Sequence, residues 1–196
     1  MIIENGAEGA CYVAKVDDKN RLHVNSSTET HAQISSIDGR GYNINTGVIN
    51  LTSAGKSVLL YVKNNELNDL VVESMFYLIG NSTGGSGDVL ISVRRNPTAG
   101  SIITNAVNCE MTGVNRNFGS NKTLTLDAFK GVEGDTITAS GGKVIESIFN
   151  QAPTRAVLDV GYIVMPQGTS ISIEITPATS NTSLDVEFAL AVHLEA

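Results

Sequence analysis

The chain has 196 residues, of which 41% are hydrophobic, and a formal net charge of −7. That length suits one domain with a substantial core, and the hydrophobic fraction excludes a disordered chain. The longest basic cluster is Arg94-Arg95, so the chain cannot gain much affinity by neutralising phosphates, and binding to exposed nucleic acid is disfavoured. Because 72 of the residues are Asn, Ser, Thr or Gly, the composition favours short strands joined by turns over helices.

Residues 1–36 are predicted to form an N-terminal arm. The stretch CYVAKVDDKNRLHV, residues 11–24, has two short alternating runs around a polar turn, which is consistent with a small hairpin. An isolated two-stranded hairpin is only marginally stable in water, so the arm is expected to pair with another surface. The candidate contact residues are the two runs of the arm, Ala14, Lys15, Val16, Leu22, His23 and Val24.

Residues 37–196 are predicted to form an all-β domain, an antiparallel β-sandwich. Apolar residues alternate along three runs, 89–93, 171–175 and 184–194. Such alternation places one face of each strand on a core. Residues 57–63 and 69–80 are apolar on both faces, as strands covered on both sides are. Turns rich in Gly, Pro, Asn and Ser separate the runs about every ten residues, which is typical of a sandwich or barrel.

A helix is predicted, if anywhere, within KVIESIFNQ, residues 143–151. Four apolar residues there could share one helical stripe. A short strand fits the same residues equally well, and both alternatives stay open.

The run VRRNPTAG, residues 93–100, reads as the end of a strand followed by a corner. Pro97 cannot donate a hydrogen bond to a sheet, so the strand that contains Arg94 and Arg95 is expected to stop there. Asn96 precedes a proline, which favours an extended or turn geometry. Nothing in this run requires chemistry.

Two short motifs resemble enzyme motifs but lack the flanking structure that those motifs need. Gly80-Asn-Ser82-Thr-Gly84 matches a hydrolase nucleophile elbow, yet a predicted strand follows it and not a helix. SAGKSV, residues 53–58, resembles the end of a phosphate-binding loop, but the first glycine of that motif is replaced by Asn50 and a strand follows. We therefore predict no catalytic residue and no enzymatic activity.

No metal or cofactor is expected. The three histidines, His23, His31 and His193, have no ligand spacing and are predicted to lie on solvent-facing positions. Cys11 and Cys109 are predicted to be two buried thiols, although one disulfide is also possible. The sequence shows neither a signal peptide nor a stretch long enough to cross a membrane, so synthesis in a cytoplasm is expected.

Four stretches between residues 41 and 183 together resemble virion structural proteins of tailed bacteriophages, most of all jelly-roll head decoration or cement proteins. In chain order they are YNINTGVINLTSAGKSVLLYVKNNE, VRRNPTAGSIIT, NRNFGSNKTLTLDAFKG and GYIVMPQGTSISIEITPATSNTS. The most distinctive pieces are the corner at residues 95–100 and NRNFGS at residues 115–120. The arm segment AKVDDKNRLHV, residues 14–24, is also similar to the openings of several phage structural proteins.

This resemblance implies an eight-stranded jelly roll without enzymatic activity. It further implies a homotrimer that binds the major capsid protein on the outer surface of the head and stabilises the shell by bridging capsomers. Neither nucleic acid nor a membrane is an expected partner, and the protein is expected to be made in the cytoplasm of the bacterial host. The alternative is a structural protein of the tail, baseplate or adhesion apparatus with a glycan-binding β-sandwich. A small hydrolase that uses Ser82 is the alternative from a different class.

Overall fold

The computed structural model of the chain describes residues 2–4, 11–13, 30–85, 87–104, 109–139, 142–149, 153–158 and 163–195. The chain divides into two units, Met1–Thr30 and His31–Ala196. In the first unit, strand β1 (Ile2–Glu4) pairs with strand β2 (Cys11–Val13) in antiparallel register, with Ile3 opposite Tyr12. The predicted contact residues of the arm, Ala14, Lys15, Val16, Leu22, His23 and Val24, lie outside the described residues.

The second unit contains two short helices and fifteen strands within the described residues. In chain order they are α1 (His31–Ile37), β3 (Gly41–Asn45), β4 (Ile49–Leu51), β5 (Ser57–Asn64), β6 (Leu70–Thr83), β7 (Val89–Arg95), β8 (Pro97–Ala99), α2 (Ser101–Thr104), β9 (Cys109–Glu110), β10 (Val114–Asn115), β11 (Leu126–Lys130), β12 (Thr138–Ala139), β13 (Lys143–Phe149), β14 (Thr154–Leu158), β15 (Ile163–Met165), β16 (Ser170–Pro177) and β17 (Ser183–Leu194). The predicted all-β class is confirmed.

Two antiparallel sheets form the sandwich of this unit. Among the described strands, the larger sheet has the order β10-β3-β17-β6-β14, with β4 also paired to β17 and β15 to β6. The smaller sheet has the order β13-β7-β16-β5-β11-β9, and β8 and β12 form a separate pair. The predicted antiparallel sandwich is therefore confirmed.

Eight of these strands pair in a nested order. The first of them, β3, pairs with the last, β17, and β5 pairs with β16. Inside these, β6 pairs with β14 and β7 pairs with β13. The chain therefore runs as one long antiparallel ribbon of four strand pairs, and successive pairs alternate between the larger and the smaller sheet.

The alternating rows predicted from the sequence fill the main core between the sheets. On β17 the inward residues are almost completely buried, namely Leu184, Val186, Phe188, Leu190 and Val192. The inward residues of β16 belong to the same core, namely Ile171, Ile173 and Ile175. Burying one such side chain contributes about 1.5–3 kcal/mol relative to leaving it in water. The predicted alternation is confirmed.

A smaller apolar cluster covers the other side of β5. Val58, Tyr61 and Ile102 are buried there, and Phe129 and Ile137 pack against them. The helix α2 supplies Ile102 to this cluster. Strand β5 is therefore buried on both faces, as its unbroken apolar run predicts.

Of the two alternatives left open for residues 143–151, the structure shows the strand. Residues 143–149 form strand β13, which pairs with β7, whereas the polar segment His31–Ile37 forms helix α1. So short a helix draws its stability from packing, and α1 packs on β3 and β17 with Ser35 buried. Residues 31–36, which we assigned to the arm from the sequence, belong to this helix and to the second unit.

Candidate interaction surface

The loop of residues 115–120, NRNFGS, is anchored on the larger sheet by Arg116. Its guanidinium donates two hydrogen bonds to the carboxylate of Glu73, from Nη1 to Oε2 at 2.9 Å and from Nη2 to Oε1 at 2.8 Å. The Nδ1 atom of His193 lies 2.7 Å from the same Oε1. Arg116 also donates to the backbone carbonyl of Val192 at 3.2 Å. One carboxylate thus joins the loop to strands β6 and β17.

Two local features of the backbone make room for this pair. In the register of β6 with β17, Ala191 lies opposite Ser74 and Val192 opposite Val72, so Glu73 is the extra residue of a β-bulge. Bulges re-aim side chains in this way. On β3, a Cβ atom at Gly41 would come within 2.7 Å of both Nε and Nη2 of Arg116. Glycine at position 41 therefore leaves the space that the Arg116 guanidinium occupies.

Burial raises the pKa of Glu73, but the hydrogen bonds and positive charge of Arg116, together with His193, outweigh that effect. The net pKa of Glu73 lies below its ordinary value of 4.5. The carboxylate is therefore ionised at neutral pH, and the ion pair that anchors the loop is intact there.

Two asparagines fix the shape of the loop. Asn115 donates from Nδ2 to the carbonyls of Gly39 and Lys122, at 2.9 and 3.0 Å. Its Oδ1 accepts the amide of Asn117, whose own Oδ1 accepts the amide of Gly119. Asn117 also donates to the carbonyl of Ile37, the last residue of α1, at 2.8 Å. Consecutive turns of this kind are the usual use of Asn-x-Asn spacing in loops.

The fixed loop holds an aromatic side chain in solvent. Phe118 is 95% exposed, and Ile37, to whose carbonyl the loop is hydrogen-bonded, is 63% exposed. We call residues 115–120 together with Ile37 the loop surface. Large apolar side chains on a rigid backbone are the usual anchors of protein interfaces, because binding immobilises little that was free before. The loop surface is therefore a candidate for contact with another protein.

A second apolar feature lies on the outward face of the larger sheet. Phe76, which is 42% exposed, lies opposite Ala189 on β17 and Val157 on β14. In the next outward row, Leu78 lies between Glu187 and Arg155. A cavity of ≈ 390 Å³, which we call the outer-face cavity, is lined by residues of these two rows, namely Phe76, Leu78, Ala189, Arg155 and Glu187. With strands about 4.8 Å apart, Glu187 and Arg155 stand roughly 10 Å apart at its two sides.

The residues of the two enzyme-like motifs serve the fold. Ser82 lies on β6 opposite Leu184 and donates to Asn181. His193 is nine residues further along β17, which is roughly 30 Å at about 3.4 Å per residue, so the two side chains cannot cooperate. In the SAGKSV region, the carboxylate of Glu133 accepts the amides of Thr52 and Ser53. The amides of Thr52 and Ser53 are thus hydrogen-bonded to a carboxylate of the chain itself and are not free to bind a phosphate.

Arg94 neutralises a buried carboxylate. It donates from Nε to Oε2 of Glu174, whose side chain is 3% exposed, and Lys56 lies 3.6 Å from the other oxygen. Strand β7 ends at Arg95, which confirms the predicted stop before Pro97. Asn96 takes the turn alternative, with φ 47° and its Oδ1 accepting the amide of Ser170 at 3.0 Å.

The prediction of a solvent-facing His193 was wrong. Its position on the outward face of β17 follows the alternation, but the residue is 2% exposed. Helix α1 packs on β17, and Arg116 reaches the carbonyl of Val192, so both cover this end of the sheet. His23 and the side chains of Cys11, His31 and Cys109 lie outside the described part of the chain.

Comparison of the sequence with models of protein families found no match, and comparison with curated proteins found none. Within the described residues, no cluster of three or more His, Cys, Asp or Glu side chains has the arrangement of a metal site. A search of the same residues found no helix with the length and apolar character needed to span a membrane.

Sequence reasoning did not find Arg116, Phe118 or Phe76 as site residues. The resemblance marked NRNFGS as distinctive without assigning a role to it. The one local signal was the Asn-x-Asn spacing of Asn115 and Asn117, which is typical of a structured loop.

Proposed function

We infer that this is a non-enzymatic structural protein of a tailed-bacteriophage virion, and that it acts as a decoration or cement protein on the outer surface of the head. The observation that carries this proposal is the loop surface, where Phe118 is 95% exposed on a backbone held by its own hydrogen bonds. Such a feature is of use to a protein that works by contact, because a prearranged anchor loses little entropy on binding.

The nested pairing of eight strands supports a jelly roll as the finer description of the sandwich. A jelly roll is an eight-stranded double sheet, and a ribbon of four nested pairs, wound so that the pairs alternate between sheets, produces that arrangement. The resemblance of residues 41–183 to phage virion proteins implies the same fold.

Stabilisation of a shell requires contact across the seams between capsomers, and the proposed partner is the major capsid protein. A homotrimer would bring several modest contacts to one lattice position, and each further contact would then form at a high effective concentration. The N-terminal arm could add a strand to a neighbouring subunit, with residues 14–16 and 22–24 as the pairing segments. A net charge of −7 suits a position outside the shell, away from packaged DNA.

Immunogold electron microscopy of intact virions, with antibody raised against the folded protein, tests the location. Label over the whole head is the expected result. Label confined to the tail or its tip would contradict decoration and favour the adhesion alternative. Absence of label, with an antibody shown to bind the folded protein, would contradict an outer-surface position.

Removal of residues 1–30 tests the contribution of the arm. The shortened chain should keep its sandwich but lose binding to particles from which the native protein has been stripped, as measured by co-sedimentation. If the shortened chain binds such particles as well as the full chain does, the arm has no part in attachment.

The outer-face cavity favours one second candidate, a tail or adhesion protein that binds glycans. Phe76 offers an aromatic surface to a sugar ring, and Asn45, Arg155 and Glu187 offer donors and acceptors to its hydroxyl groups. Saturable binding of a saccharide from a panel, abolished by Phe76→Ala, would support this candidate.

A further inference from the structure

Two exposed apolar features of this chain are a projecting aromatic side chain and a cavity. Phe118 projects from the loop surface as a single aromatic side chain that is 95% exposed. The outer-face cavity, ≈ 390 Å³, lies near the lower end of the roughly 300–1,000 Å³ typical of pockets that enclose small ligands. It is large enough for one aromatic ring. Its apolar floor includes the ring of Phe76, against which a second aromatic ring can pack edge-to-face or offset.

The charges around the two features are complementary. Residues 111–125 carry two cationic side chains and no carboxylate, although the whole chain has a net charge of −7. Arg116 is already neutralised by Glu73, which leaves Lys122 as the exposed cation of this segment, with its Nζ donating to the backbone carbonyl of Asp38 at 2.7 Å. On the cavity side, Glu187 and the preceding outward residue of β17, Asp185, are acidic. Arg155 lies across the cavity from Glu187, so the charges favour an orientation with Lys122 above Glu187.

The ring that enters the cavity must come from another molecule. Asn115, Asn117 and the Arg116–Glu73 pair hold the loop in the conformation in which Phe118 is exposed. A second copy of the chain offers the matching feature at the same concentration. When each copy inserts Phe118 into the cavity of the next, a rotation that closes the ring leaves every Phe118 and every cavity occupied.

We propose that Phe118 of one copy inserts into the outer-face cavity of a second copy, beside Phe76, and that this contact holds together a closed homo-oligomer. The proposal rests on the proposed function in one respect: it takes the loop surface to be a protein-contact surface, and it names a second copy of the chain as the partner. It does not require a virion, because the contact forms between copies of this chain alone.

Sedimentation velocity of the full chain over a range of concentrations is the test. The wild-type protein should sediment as an oligomer at high concentration. Phe118→Asp should weaken the self-association constant about 30-fold or more, as expected for an interface anchor. Leu67→Asp is the matched control, since Leu67 is also highly exposed, at 85%, but lies in the connection between β5 and β6. It should leave self-association unchanged.

Two further variants probe the cavity side. Ala189→Phe should fill the cavity from within and weaken self-association without touching the loop. Lys122→Glu and Glu187→Lys should each weaken it, and the double variant should recover most of the loss, which a merely destabilised protein would not do. Circular dichroism of each variant checks that the sandwich is folded.

A wild-type chain that stays monomeric at every concentration overturns the proposal. So does an oligomer whose mass Phe118→Asp and Ala189→Phe both leave unchanged. If Phe118→Asp abolishes binding to particles while self-association persists, the loop surface binds the capsid protein and the proposed function survives alone. If a saccharide occupies the cavity of a monomeric chain, the cavity belongs to the glycan-binding alternative.

Discussion

At the scale of one residue, Arg116 anchors the loop of residues 115–120 to the larger sheet through its ion pair with Glu73. Its two hydrogen bonds satisfy a carboxylate that is only 10% exposed. Removal of Arg116 would leave this carboxylate with His193 as its remaining partner, and loss of one member of a buried ion pair is more harmful than loss of the contact alone.

We therefore expect Arg116→Gln to lower the free energy of unfolding by about 2 kcal/mol, less than the full effect of a deeply buried pair because Arg116 is 20% exposed. Arg95→Gln is the control, since Arg95 is an exposed arginine at the end of β7. It should change stability by less than about 0.5 kcal/mol. Urea unfolding followed by circular dichroism measures both. Equal stability of the two variants would show that the Arg116 anchor is dispensable.

The depressed pKa of Glu73 gives the same pair a pH dependence. A carboxyl whose pKa is lower in the folded than in the unfolded chain contributes stability that is complete above its ordinary value of 4.5 and is lost as the pH falls through the folded value. The stability difference between the wild type and Glu73→Gln should therefore be largest at neutral pH and shrink as the pH falls below 4.5. Urea unfolding at a series of pH values measures it. A difference that does not change with pH would mean that Glu73 is not held ionised by Arg116 and His193.

At the scale of the elements, the β6 bulge at Glu73 and Gly41 in β3 together make room for the guanidinium of Arg116, which anchors the loop. Gly41→Ala should place a methyl group 2.7 Å from Nε of Arg116 and 2.9 Å from Oγ of Ser36. We expect a loss of about 1 kcal/mol and faster hydrogen exchange of the loop amides. Gly119→Ala in the same loop is the control, because the nearest atom to its Cβ would be Oδ1 of Asn117 at 3.5 Å. Similar exchange rates of the loop amides in both variants would contradict the requirement for glycine at position 41.

The corner after β7 is a second element with a specific backbone requirement. Asn96 has φ 47°, a left-handed conformation that an ordinary side chain adopts at a cost of about 1–2 kcal/mol. Asn96→Ala and Asn96→Gly both remove the acceptor of the Ser170 amide, so their comparison isolates the backbone effect. The glycine variant should be the more stable by about 1 kcal/mol in thermal or urea unfolding. A more stable alanine variant would show that the corner relaxes to negative φ.

At the scale of the whole molecule, every described residue of the main core lies at position 42 or later. A chain that begins at His31 keeps α1, both sheets and the loop surface. We expect it to unfold in one cooperative transition, with a urea dependence in proportion to the surface of a complete sandwich. A broad transition, or one with a much smaller urea dependence, would show that residues 1–30 complete the fold.

The sequence by itself was enough to predict the core-facing rows of the longest alternating strands. Alternation is a local property, because the side chains of a strand point to opposite faces in turn, and the core rows of β16 and β17 lie where the pattern placed them. The end of β7 was equally predictable, since proline lacks the amide hydrogen that a sheet needs. Helix α1 could not be predicted from the sequence. Its seven residues are mostly polar and show no apolar helical stripe, and the helix is stabilised by packing on the sheet.

Only the tertiary structure decided which strands are neighbours and what their outward faces carry. The nested pairing joins β3 to β17 across almost the whole domain, and the Arg116–Glu73 pair joins residues 43 positions apart. The outer-face cavity takes its side chains from four strands, and the burial of His193 depends on a helix and a loop from elsewhere in the chain. Local patterns specify the conformation of a segment and the face of each residue. They do not specify which distant segment will cover that face, because this depends on contacts that form only when the sandwich is assembled.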